Sequence, residues 1–168
     1  GHLTTGFVGT PLLCAVLSAN GYEDLAFMLL NRKEYPSWLY PVTQGATTIW
    51  ERWDGQKPDG TFQNTGMNSF NHYAYGAIGQ WLYTYVAGIK IDELRPGYKH
   101  FFLAPHLGGG LQHARATFDS MYGTIRSSWR LDREKVTYEF EIPANTTATV
   151  ILPGSNEPLE LGSGIHSF

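Results

Sequence analysis

The chain has 168 residues, 42% hydrophobic and 16% charged, with a formal net charge of −3. This balance excludes intrinsic disorder and removes any electrostatic basis for binding nucleic acid or an anionic membrane. No apolar run is long enough to span a bilayer, and one cysteine, Cys14, cannot form an intrachain disulfide. Aromatic residues reach 14% and cluster. Trp38, Tyr40, Trp50, Trp53, Phe62, Phe70, Tyr73, Tyr75 and Trp81 share one stretch with many Gly, Asn and Thr. A packed core uses aromatics as well. Flat rings among short polar groups also suit a sugar, whose C–H faces stack while its hydroxyls take hydrogen bonds.

In chain order, Thr10-Pro11 reads as a helix start, a hydroxyl N-cap followed by proline where no amide donor is needed. Leu12, Leu13, Val16 and Leu17 keep helical spacing, and Asn20-Gly21 supplies a left-handed stop. A second helix follows at once, with Glu23 and Asp24 in its first turn and Arg32 and Lys33 in its last, each matching the helix dipole. The stretch from Pro36 to Gly66 is irregular, with a short helical candidate at 48–53. Long irregular loops between helices tend to be functional. Asn68 to Val86 reads as the strongest helix, with Phe70, Ala74, Ala77, Ile78, Trp81, Leu82 and Tyr85 at steps of three and four. Gly76 and Gly79 within it imply close approach of a neighbour.

After Gly97 the period changes to two. Val136, Tyr138, Phe140 and Ile142 alternate with polar residues, as do Ile125, Ser127, Trp129 and Leu131. Further strands are expected at 100–104, 111–118, 147–152, 157–161 and 164–168, with turns at Tyr122-Gly123 and Asp132-Arg133-Glu134. Helices first and strands afterwards imply an α+β chain in two segregated parts. The helical part looks too small to close a core around its aromatics, so the start at residue 1 reads as a cut within a larger domain.

Chemistry concentrates at Gly45 to Gly55. A carboxylate between two tryptophans, Trp50-Glu51-Arg52-Trp53, has what a sugar hydrolase needs: rings to bind sugar faces and a base or nucleophile. Thr48-Ile49-Trp50-Glu51 is also a capping box, in which Glu51 ties up an amide at a helix start. Both readings stay open. His72 lies four residues after Asn68, on one helical face; it could meet sugar hydroxyls or serve as a structural hydrogen-bonder. No metal or cofactor is expected. His100, His106 and His113 are irregularly spaced, Asp54 and Asp59 lack EF-hand spacing, and Leu107 to Gly110 precedes a strand. No serine sits in a nucleophile elbow.

Several motifs in series resemble the C-terminal third of bacterial α-L-rhamnosidases. They are Leu3 to Pro11, Tyr35-Pro36-Ser37-Trp38-Leu39-Tyr40, Gly45 to Asp54 and Met67 to Tyr75. Tyr122-Gly123, with Ile125 and Ser127-Ser128-Trp129, and Pro143 to Ala148 resemble the β-domain that follows. The resemblance implies that residues 1–90 are the final helices of an (α/α)₆ barrel and residues 91–168 an antiparallel β-sandwich. It implies hydrolysis of terminal α-linked L-rhamnose from glycosides or polysaccharides, with inversion at the anomeric carbon. Glu51 then matches the general base and His72 a rhamnose contact, with Trp50, Trp53 and Asn68 beside them as substrate-binding candidates. The general acid would lie upstream in the rest of the barrel, and without it turnover is not expected. The rival reading is a carbohydrate-binding or structural module without catalysis.

Overall fold

The computed structural model describes residues 2–155 and 157–168. The chain divides into two compact units, Gly1–Gly79 and Gln80–Phe168.

In the first unit, α1 (Thr10–Ala19) and α2 (Glu23–Asn31) pack as a hairpin. The stop between them is as expected: Gly21 is left-handed (φ 78°), and the Tyr22 amide returns to the Leu17 carbonyl at 2.9 Å. Two end signals differ from expectation. Gly9, not Thr10, caps α1, and the Thr10 hydroxyl instead donates to the Thr5 carbonyl at 3.1 Å. Arg32 and Lys33 fall beyond the end of α2, because the backbone becomes extended at Arg32. Buried Cys14, Ala26, Phe27 and Leu29 form the hairpin's core. A short helix α3 (Leu39–Thr43) follows, with Trp38 buried at its start and Tyr40 buried within it.

The helix expected over 68–86 is shorter and mixed. Asn68 to Tyr73 is loop; the chain then runs as 3₁₀ over Ala74–Ala77, as α4 (Ile78–Trp81), and with π geometry over Leu82–Val86. The short helix expected at 48–53 is absent, replaced by bends and turns. Both departures share a cause. The two segments bond to each other: the Glu51 amide donates to the Ser69 carbonyl and the His72 amide to the Ile49 carbonyl, each at 2.9 Å. Backbone groups committed across the chain cannot close helical turns. Gly76 does meet a close neighbour, since a Cβ there would lie 3.3 Å from the Ile49 side chain; a Cβ on Gly79 would meet nothing within 4 Å.

The second unit contains two four-stranded sheets, in the orders β1-β2-β6-β7 and β3-β4-β5-β8. The strands are β1 (Ile89–Ile91), β2 (His100–Leu103), β3 (His113–Ser120), β4 (Gly123–Asp132), β5 (Lys135–Ile142), β6 (Thr147–Val150), β7 (Leu159–Leu161) and β8 (Gly164–Ser167). Strand β1 was not anticipated, because three residues are too few to display a period. The pairing is antiparallel except between β2 and β6, which run parallel with His100 opposite Thr147. The whole β3–β5 meander lies between these two strands and provides the long connection that parallel neighbours need. Alternation places Ile125, Ser127, Trp129, Phe140 and Ile142 in the core, together with Phe101, Leu103, Ala148 and Val150 of the other sheet. The Trp129 indole is satisfied by the Val86 carbonyl at 2.8 Å.

Candidate active site

Within the first unit, a half-open cavity of about 270 Å³ lies beside the two cross-bonded segments. Glu51, Arg52, Trp53 and Asp54 form one side, and Phe7, Tyr35, Met67 and Tyr75 complete it.

Glu51 is half-buried, and one carboxylate oxygen, Oε2, accepts the Ser69 amide at 2.7 Å. With the Glu51 amide bonded to the Ser69 carbonyl, the residue is held at two points. One carboxylate oxygen is thereby fixed. The capping-box reading is not what the structure shows: no helix starts here, and the Thr48 hydroxyl donates to the Phe70 carbonyl instead of accepting an amide N–H of its own segment. Arg52 is anchored by its Nε to the Met67 carbonyl at 2.9 Å.

Trp53 stacks on Tyr75 with ring centroids 3.7 Å apart, and Trp38 meets Trp53 edge-on at 5.6 Å. Trp38 is fixed in turn by its indole N–H, which donates to the Tyr75 carbonyl at 2.9 Å. Trp53 therefore presents a ring to the cavity while its back and edge are packed. The Tyr75 hydroxyl is pushed up from its ordinary pKa by burial and by neighbouring Tyr35, with Arg52 opposing. It stays a neutral hydrogen-bonding group.

His72 does not line the cavity and reaches it only through Phe7. Its ring stacks on Phe7 at 4.8 Å, and its Nδ1 accepts the Ala74 amide at 3.3 Å. That bond leaves Nε2 as the donor nitrogen of the neutral ring. Trp50 and Asn68 lie elsewhere. Trp50 is 6% exposed, packs edge-on against Phe70, and is absent from the lining of the Glu51 cavity. Asn68 turns its amide group to the Gly55 carbonyl at 2.8 Å, and its Oδ1 is buried without a hydrogen-bond partner.

The structure thus brings Glu51 and Trp53 into one cavity, sets His72 beside it through Phe7, and places Trp50 and Asn68 in the packing of the loop. Sequence reasoning passed over Asp54, Tyr35 and Phe7 as cavity residues. Asp54 was readable, being three residues beyond Glu51 in the same aromatic segment; Phe7 and Tyr35 come from distant loops and carry no local signal. Asp59 does not reach the cavity: its carboxylate bonds the Thr61 hydroxyl at 2.6 Å and the Thr61 amide at 2.9 Å, which lowers its pKa. Among the described residues there is no group of three or more His, Cys, Asp or Glu able to hold a metal ion, and no helix long and apolar enough to cross a membrane.

Comparisons with known proteins agree on one family. Residues 1–86 match the bacterial alpha-L-rhamnosidase 6 hairpin glycosidase domain, and residues 88–165 match the bacterial alpha-L-rhamnosidase C-terminal domain. The chain is 42% identical to an alpha-L-rhamnosidase of Streptomyces avermitilis, with 99% of the chain and 18% of that protein covered. It is 47% identical to one of Formosa agariphila, with 92% of the chain and 16% of that protein covered. Among solved structures, the Streptomyces avermitilis alpha-L-rhamnosidase complexed with L-rhamnose superposes with a TM-score of 0.92 at 41% identity, over 99% of this chain and 18% of that one. The Aspergillus terreus enzyme gives 0.92 at 40% identity, covering 99% of this chain and 19% of its own. The chain therefore spans about a fifth of the length of these relatives.

Proposed function

The chain belongs to the bacterial α-L-rhamnosidases, and from that membership we propose that it carries the general base of an enzyme that hydrolyses terminal α-linked L-rhamnose with inversion. In this reading residues 1–90 complete a helical barrel whose remainder lies upstream, and residues 91–168 are its C-terminal β-domain. Exposed apolar side chains support the first point: Leu12 and Val16 on α1 are 62% and 57% exposed, and Leu25 and Met28 on α2 are also uncovered. Two adjacent helices with such faces need further helices against them.

The observation that carries the proposal is the Glu51 carboxylate, fixed by the Ser69 amide on the wall of a cavity floored by the Trp53–Tyr75 stack. Inverting hydrolysis needs one carboxylate to take a proton from water and a second, about 6.5–9.5 Å away, to protonate the leaving group. Glu51 takes the first role; the second falls to a residue upstream. Trp53 offers its face to the sugar ring, and His72 donates from Nε2 to a sugar hydroxyl. Trp50 and Asn68 act beneath them, holding the loop.

Glu51→Gln in the full-length protein tests this. The amide side chain still accepts the Ser69 N–H but cannot take a proton from water. Turnover on an aryl α-L-rhamnoside should fall on the order of 10²-fold or more, with the melting temperature nearly unchanged. A folded variant that hydrolyses at the parental rate contradicts the assignment.

A further inference from the structure

The outer face of the β3-β4-β5-β8 sheet carries a second hollow, of about 500 Å³. Register sets its lining in two rows across the strands. His113 lies opposite Arg130 and Arg130 opposite Thr137; one step along, Arg115 lies opposite Ser128 and Ser128 opposite Glu139. All six line the hollow. Arg115 and Arg130 are diagonal neighbours across β3 and β4, a spacing of roughly 7–8 Å that two long side chains can close onto one group.

The state of the arginines on this sheet is uneven. Arg126, two residues before Ser128 on the same face, is paired with Glu141 directly opposite it. The guanidinium groups of Arg115 and Arg130 have no hydrogen-bond or ion-pair partner among the described residues, and both residues are exposed. The sheet thus satisfies one guanidinium internally and leaves two converging on the same hollow.

We propose that this hollow is a secondary glycan-binding site for a carboxylated sugar residue. Two guanidinium forks suit the planar, bidentate geometry of a carboxylate, which is charge-assisted and directional. The Ser128 and Thr137 hydroxyls donate weakly to the Glu139 and Arg130 carbonyls, at 3.4 and 3.5 Å, and keep lone pairs that can accept from sugar hydroxyls; the volume lies within the range of small-ligand sites. Glu139 decides between anion classes. A carboxylate in the hollow repels a polyanion such as a nucleic acid, yet it accepts hydrogen bonds from the hydroxyls of a singly charged sugar. The site is independent of the Glu51 cavity and stands whether or not Glu51 is the base.

Calorimetry on the full-length protein, using the methyl glycoside of galacturonate, which carries one carboxylate, and its neutral methyl ester as probes, tests the proposal. The acid should bind at least about tenfold more tightly than the neutral ester. An R115A/R130A double variant should lose that preference while keeping its hydrolysis of a small aryl rhamnoside, which reports an intact fold. Arg115→Lys keeps the charge without the fork and should fall between. Three results overturn the site: equal affinity for the two probes, binding of neither, or a preference that survives the double substitution. Competition by inorganic phosphate at equal concentration would show a generic anion trap and overturn the sugar assignment.

Discussion

Glu51 and its supports are set by close packing around one glycine. A Cβ on Gly55 would lie 3.0 Å from Asn68 Oδ1 and 3.2 Å from both Phe70 and Trp50. All three pack tightly around Gly55, so Gly55→Ala should cost about 1–3 kcal/mol as they shift. It should also displace Asn68 from the Gly55 carbonyl; a thermal melt and a rise in the Michaelis constant would register both effects. His72→Ala should raise the Michaelis constant and lower turnover less than Glu51→Gln does, if His72 contacts the ground-state sugar. A loss confined to turnover would assign it to the transition state instead. At this scale the sequence was readable but ambiguous. Threonine three residues before glutamate has the same spacing in a capping box and in a loop, and only the partner decides. The partner here is Ser69, eighteen residues away.

Among elements, β1 is the least legible and the most tightly specified. Gly88 precedes it with φ 80°, and a Cβ there would fall 2.2 Å from the Pro105 backbone nitrogen. Backbone cannot yield as a flexible side chain does, so Gly88→Ala should cost more than about 4 kcal/mol, among the largest single-residue effects. Failure to express folded protein, or loss of the cooperative melt of the β-domain, would report it. At the other end of β1, Asp92 bonds the Arg95 guanidinium and His100 Nδ1, each at 2.8 Å, and His100 Nε2 lies 3.0 Å from the Thr149 hydroxyl. This buried chain ties β1 to β2 and β6. Burial works to raise the Asp92 pKa, but Arg95, His100 and the Leu94 amide outweigh it, and the net direction is down. The unfolded chain therefore binds this proton more readily than the folded one. The stabilisation is complete above the ordinary carboxylate range and is lost as pH falls through the lowered folded value. Hydrogen exchange of the β1 and β2 amides should accelerate below that range, and Asp92→Asn should remove the pH dependence. The strands with long period-two patterns were legible because each is half-buried; the helix read over 68–86 was over-long because its first six residues keep helical spacing while their backbone bonds elsewhere.

For the whole molecule, the change from helix to strand was clear in the sequence, because the hydrophobic period itself changes and period reports which face is buried. The parallel pairing of β2 with β6 was not, since partner choice between distant strands leaves no mark on either one. The isolated chain should be inactive on an aryl α-L-rhamnoside, because a base without its acid cannot complete the displacement. Turnover by the purified chain above a Glu51→Ala control would contradict that. The most direct test of the role of Glu51 is chemical rescue in the full-length protein. In Glu51→Ala the water has no base, but azide is already a nucleophile and fits where a side chain has been removed. Azide should restore turnover, and NMR should identify the product as β-rhamnosyl azide. An α-configured azide, or a Glu51→Ala enzyme that hydrolyses at the parental rate without azide, would contradict it.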